Sequence, residues 1–182
     1  MKRALLLTGK PGTGKTALIR EALARTKVKG GGFYTEEIRT GGIRQGFRIV
    51  TLDGQESILA HVGISSPYQV SKYKVDTDSL NKVGVSALRQ ALKETDLIVI
   101  DEIGKMELLS SQFKEAVTQA INSNKKVLGT IMLNPHPHPF ADQIKRHPEV
   151  EVVLVTRDNR TEVMKKVLNW LTQDSSPWTG ED

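Results

Sequence analysis

The chain alternates short, almost wholly apolar runs with stretches in which apolar residues recur at helical spacing. Residues 3–8 (Arg-Ala-Leu-Leu-Leu-Thr) end at Gly9, residues 97–100 (Leu-Ile-Val-Ile) end at Asp101-Glu102, and residues 127–132 and 150–155 form two further runs. Apolar side chains on successive rather than alternate positions mark strands covered on both faces, as in a parallel sheet. From Lys15 the spacing of Leu18, Ile19, Ala22 and Leu23 is helical, and so is that of Leu80, Val83, Ala87, Leu88, Ala91 and Leu92, with Asp76 or Asp78 as the cap. Residues 110–122 repeat the pattern through Phe113, Val117, Ala120 and Ile121, and a last helix carries Val163, Val167, Leu168 and Leu171, with Asn159 and Glu162 spaced as a capping box. Strands alternating with helices predict an α/β fold: a mostly parallel central sheet, right-handed crossovers, and helices on both faces.

Residues 30–62 break this rhythm. Phe33, Tyr34 and Ile38, then Thr40-Gly41-Gly42, then the run 47–52, Asp53-Gly54 and finally Ile58-Leu59 read as short strands joined by glycine turns, a small antiparallel meander inserted in the main sheet. Residues 73–75 fit one more short strand. Residues 1–172 are expected to form a single domain, and residues 173–182, polar and containing Pro177, a flexible tail.

Composition narrows the setting. With 182 residues, 38% hydrophobic and 26% charged, the chain can close one sizeable core. No apolar run approaches the roughly 18 residues needed to cross a bilayer, so no membrane association is expected and a cytoplasmic protein fits best. The absence of cysteine removes disulfides, thiolate-held zinc, iron–sulfur clusters and thiol nucleophiles. The net charge of +5 is unevenly placed: residues 1–50 hold a surplus of eight basic residues and the remainder a deficit of three. Such a local field suits a polyanion like a triphosphate. A nucleic-acid partner is not expected, because the nine aromatics are not interleaved with basic residues as a stacking platform would be.

The charge surplus coincides with the strongest motif. Gly9-Lys10-Pro11-Gly12-Thr13-Gly14-Lys15-Thr16 matches G-x-x-x-x-G-K-[ST] and lies between a buried strand and a helix, where backbone N–H groups and the helix dipole together cradle phosphate. Lys15 is expected to bridge the β- and γ-phosphates and the Thr16 hydroxyl to hold Mg²⁺. Asp101 ends a strand at the same sheet edge, with the chemistry to hold that metal through its waters. Glu102, beside it, is the candidate general base that orients water for in-line attack.

Other residues are read less singly. Lys105 adds charge near the transferred phosphoryl group or pairs with Glu107 at the surface. Arg157 and Arg160 follow a strand end, where they stack on a base, neutralise phosphate or simply solvate a helix start. His136 and His138 have the spacing of a metal pair, but the prolines around them favour a stiff loop over 134–139, a possible lid on the crevice. Asp101-Glu102-Ile103-Gly104 also satisfies the D-x-x-G of GTP switches, yet no N-K-x-D follows a strand, so base discrimination is expected to be loose.

The phosphate loop, the run Gly32-Phe33-Tyr34-Thr35-Glu36-Glu37 with Gly46-Phe47 beyond it, and above all Asp101-Glu102-Ile103-Gly104-Lys105-Met106-Glu107 resemble the small nucleoside-triphosphatase family across residues 1–172. The resemblance implies a RecA-like P-loop fold and slow, Mg²⁺-dependent hydrolysis of several nucleoside triphosphates. It also implies Asp101 on the metal side and Glu102 as base. The alternatives are a nucleotide or small-molecule kinase, which shares the loop and Lys15, and a nucleic-acid-dependent ATPase. No arginine finger and no protein partner is identified from the sequence.

Overall fold

The computed structural model describes residues 1–173; the expected tail, apart from Gln173, lies outside the described residues. Among the described residues nine strands form: β1 (Ala4–Thr8), β2 (Gly31–Thr40), β3 (Ile43–Thr51), β4 (Glu56–His61), β5 (Gln69–Val70), β6 (Tyr73–Val75), β7 (Leu97–Ile103), β8 (Lys126–Ile131) and β9 (Val150–Leu154). They form one sheet in the order β5-β6-β4-β3-β2-β7-β8-β1-β9.

The strands from β2 to β9 in that order pair in parallel, and those from β2 out to β5 pair antiparallel. The sheet is therefore mixed, rather than mostly parallel with a separate insertion. The reason is that β2 uses both of its edges: residues 31–33 bond to β7, while residues 33–40 run antiparallel to β3. The meander thereby extends the central sheet and covers what would be an open edge.

Helices cover both faces. α1 (Lys15–Thr26) and α6 (Arg160–Thr172) lie on one side, where Leu5 and Leu7 of β1 and Leu97 and Val99 of β7 pack against Leu18, Ile19, Val163 and Val167. The alternate residues Leu6, Ile98 and Ile100 face the other side, toward Leu88 of α3 (Ser86–Glu94) and Phe113 and Val117 of α4 (Ser111–Asn122). This two-sided burial accounts for the unbroken apolar runs of β1 and β7. Each fully buried leucine contributes on the order of 1.5–3 kcal/mol of transfer free energy.

Local signals hold with two corrections. Asp76 caps α2 (Thr77–Ser79), accepting from the Ser79 N–H at 3.0 Å, and a π-helical segment (Leu80–Val85) carries the chain on into α3. Ser110 caps α4 by accepting from the Phe113 N–H at 3.0 Å. Asn159 makes no capping-box bond to its helix; its amide oxygen accepts from Thr156 N–H and its amide nitrogen donates to Leu154 O, tying the strand end to α6 instead. The 134–139 segment leads into α5 (Pro139–Lys145), with Pro139 in the first turn and His138 as its cap. No helix among the described residues is long and apolar enough to cross a membrane.

Candidate active site

Because β1, β7, β8 and β9 are parallel, their carboxyl ends share one edge, and the phosphate loop leaves β1 there. Gly9 can carry no side chain: a Cβ would lie 2.4 Å from the Val155 carbonyl oxygen, and its φ of 152° falls in the left-handed half of backbone space. The loop closes on its own lysine. Lys15 Nζ donates to the carbonyls of Gly9 and Lys10, both at 2.9 Å, and Thr13 Oγ1 donates to Lys10 O at 3.0 Å. The ammonium is thus held by carbonyls of the loop itself.

Asp101 is buried, 2% exposed, and is held by two hydroxyls: Thr16 Oγ1 donates to Oδ2 at 2.6 Å and Thr130 Oγ1 to Oδ1 at 2.7 Å. Burial pushes its carboxyl above the usual aspartate range, against the two hydroxyl bonds and the nearby Lys15 charge. A buried carboxylate flanked by a threonine hydroxyl is a donor set of hard oxygens. It fits a divalent cation that takes its other ligands from phosphate and water. No cluster of three or more His, Cys, Asp or Glu among the described residues could hold a metal by itself.

Glu102 makes no hydrogen bond to another described residue, and its pKa is raised to about 7, first by burial and then by the Asp101 charge, with Lys15 opposing. Gly104 leaves it room: a Cβ there would fall 2.4 Å from Glu102 Oε1 and 2.8 Å from its Cγ. Loop, Thr16, Asp101 and Glu102 share a cleft of about 580 Å³ with Thr35, Glu36, Glu37, Arg44 and Phe47.

Lys105 does not reach this cleft. It is exposed and lines an adjoining cavity of about 260 Å³ with Glu102, Glu107, Met106 and Asn134. The expected surface pair with Glu107 is not formed: Glu107 is only 4% exposed, and burial, with repulsion from Glu102, holds its pKa well up. Arg157 lies beside the loop in a groove of about 490 Å³ that also includes Lys10, Pro11, Leu133 and Leu154. Arg160 stands against the back of the loop, its Nε 3.3 Å from where a Gly14 Cβ would be, and pairs with Glu21 at 3.5 Å. His138 caps α5, its Nδ1 accepting from Ala141 N–H at 3.4 Å.

Sequence reasoning missed Thr130, the burial of Glu107, and the residues that β2 and β3 bring to the cleft. A hydroxyl inside the apolar run 127–132 was the available signal for Thr130. Thr35, Glu36, Glu37, Phe47 and Glu107 lie in the runs that carry the family resemblance, but the convergence of the first four on the cleft, and the place of Arg44 there, depend on the pairing of β2 with β7.

Residues 4–168 match a protein family described as NTPase. The nucleoside-triphosphatase THEP1 of Thermotoga maritima is 46% identical over 167 residues, covering 92% of this chain and 94% of that protein. The human cancer-related nucleoside-triphosphatase is 39% identical over 183 residues, covering 92% and 96%. Among solved structures, THEP1 from Aquifex aeolicus superimposes with a TM-score of 0.83 at 33% identity, covering 93% of this chain and 99% of that one. A family match spanning nearly the whole described chain, relatives alike end to end, and a shared fold lead to one conclusion: the chain belongs to the NTPase family that includes the THEP1 and cancer-related nucleoside-triphosphatases.

Proposed function

We propose that residues 1–172 act as one unit that hydrolyses nucleoside triphosphates to diphosphate and phosphate, with Mg²⁺ as the metal and little discrimination among bases. The nucleoside-triphosphatase names of the relatives support the reaction. The single observation that carries the mechanism is the division of labour between two neighbouring acids: Asp101 is occupied by Thr16 and Thr130, while Glu102 keeps its carboxylate unbonded at the cleft.

The loop amides from Gly9 to Thr16 bind the phosphates, and Lys15 exchanges its carbonyl partners for phosphate oxygens. Thr16 and Asp101 would hold Mg²⁺, which when bound supplies charge opposite the phosphate oxygens. Glu102 orients a water in line with the terminal phosphorus and accepts its proton. The groove beside Arg157 has predominantly apolar walls, Pro11, Leu133 and Leu154, which suit stacking on any base more than reading its edge. The order β2-β7-β8-β1-β9, in which one strand separates the loop-bearing β1 from the acid-bearing β7, supports the RecA-like assignment.

Glu102→Gln is expected to keep ADP affinity and to lower turnover by about 10²–10⁴-fold, and chelation of Mg²⁺ to abolish turnover. In the native protein kcat/KM should fall as pH drops through about 7, where Glu102 takes up its proton, and Glu102→Gln should lose that limb. Undiminished turnover in Glu102→Gln refutes the assignment. The cavity behind Glu102 favours a second reading, a small-molecule kinase whose acceptor sits there. Following labelled γ-phosphate to water or to an added alcohol separates the two.

A further inference from the structure

We propose that Arg44 is an arginine finger supplied in cis, a guanidinium carried by the antiparallel half of the sheet that contacts the terminal phosphate from the side opposite Lys15. The inference rests on the cleft being the triphosphate site.

Three observations converge on it. Among the described residues lining the cleft, Lys15 and Arg44 alone carry positive charge, against Glu36, Glu37, Asp101 and Glu102. Lys15 arrives from the loop after β1, whereas Arg44 arrives from β3, four strands away in the sheet. Second, a bulge aims it. Ile38 pairs with Gly46 but Arg39 pairs with Arg44, so Gln45 is an extra residue on β3, an irregularity that bends a strand and redirects its side chains. The hairpin also runs past the last β2–β7 pair, Phe33 with Ile100, so it overhangs the edge at which Asp101 and Glu102 lie.

Third, the side chain is held but not used up. Nε donates to Tyr73 Oη at 2.8 Å and Nη1 to Glu37 Oε1 at 3.1 Å, while the guanidinium stands over the Phe47 and Tyr73 rings at 5.1 and 5.6 Å. Nη2 has no hydrogen-bond partner among the described residues. Glu37 is already paired with Arg39 at 2.7 Å, so the charge of Arg44 is not consumed in satisfying it. A guanidinium held at Nε by a neutral hydroxyl and at Nη1 by a carboxylate that Arg39 also pairs, with Nη2 left unbonded on a side chain that lines the cleft, is organised in advance for an oxyanion.

The test reads turnover together with affinity for ADP and for ADP with aluminium fluoride, which mimics the phosphoryl group in transit. Arg44→Ala is expected to lower turnover by about 10³-fold and to weaken the fluoride complex comparably, with ADP affinity changed less than about threefold, since ADP lacks the contacted group. Added guanidinium should restore part of the turnover. Arg44→Lys, which keeps the charge without the fork, should recover only a fraction, and it meets the same criteria if the alanine variant does not fold. Tyr73→Phe removes a support but leaves the guanidinium, and should cost far less than Arg44→Ala. The inference is overturned if Arg44→Ala retains turnover within about tenfold of native, if ADP and fluoride-complex affinities fall equally, or if Tyr73→Phe matches Arg44→Ala. Glu102→Gln serves as the internal standard. Loss of turnover there with silent Arg44 variants removes the finger alone, whereas full turnover there removes the hydrolytic mechanism itself.

Discussion

Gly104 stands two residues beyond Glu102, and its missing side chain is part of how the proposed base is set. The space a methyl group would need is taken by the Glu102 carboxylate and its Cγ. Gly104→Ala must therefore turn Glu102 away from its position while leaving the hydroxyl bonds of Asp101 untouched. The expected result is a loss of turnover of about 10²-fold, on the scale of a misplaced catalytic group, with ADP affinity retained. Steady-state kinetics beside ADP titration checks this. Motif reading singled out Glu102 because a second acid follows Asp101 at the strand end, but the role of Gly104 is a packing fact. It emerges only when Cγ and Oε1 have coordinates.

At the scale of elements, the turn after β7 buries an acid where exposure was expected. Residues Glu107–Leu109 form one 3₁₀ turn, which carries the Glu107 carboxyl inward beside Glu102. Its folded pKa is raised, so the folded protein binds this proton more tightly than the unfolded chain does. Its stabilising contribution is complete below the ordinary glutamate pKa and is lost as pH rises toward the folded value, at about 1.4 kcal/mol per pH unit within that window. Glu107→Gln is neutral at every pH and escapes this loss. Its thermal midpoint should rise relative to the native protein between pH 5 and pH 8, and melting curves at the two values decide the matter. The β2–β3 hairpin shows the same limit on local reading. Its glycine turns and alternating strands were legible, but its continuity with the parallel sheet was not, because residues 31–33 pair with β7 more than sixty positions later in the chain.

For the whole molecule, the decisive feature is that single strands serve both cores. β1 contributes Leu6 to one side and Leu5 and Leu7 to the other, and β7 divides Ile98 and Ile100 from Leu97 and Val99 in the same way. Neither face can lose its packing without releasing the strands that hold the other. One cooperative unfolding transition is expected, coincident by near- and far-ultraviolet circular dichroism. ADP with Mg²⁺ at a hundredfold excess over Kd should move it upward as a unit by about 5–10 °C. Separate transitions, or a shift in only one probe, would show that the antiparallel half unfolds independently of the nucleotide.

What the sequence by itself determined is whatever depends on neighbours along the chain: the buried runs of β1 and β7, the helix after the loop, the glycine-rich loop itself, and two adjacent acids at a strand end. These follow from steric limits at glycine, from side-chain periodicity and from the chemistry of short motifs. Tertiary structure alone decided which distant groups meet them. Thr130 reaches Asp101 because β8 lies beside β7, Glu107 turns inward on one helical turn, and Arg44 lines the same cleft as Lys15 because β2 joins two kinds of sheet. The physical reason is that strand pairing is made by backbone groups common to every residue, so the side chains that pairing brings together leave little trace in local pattern.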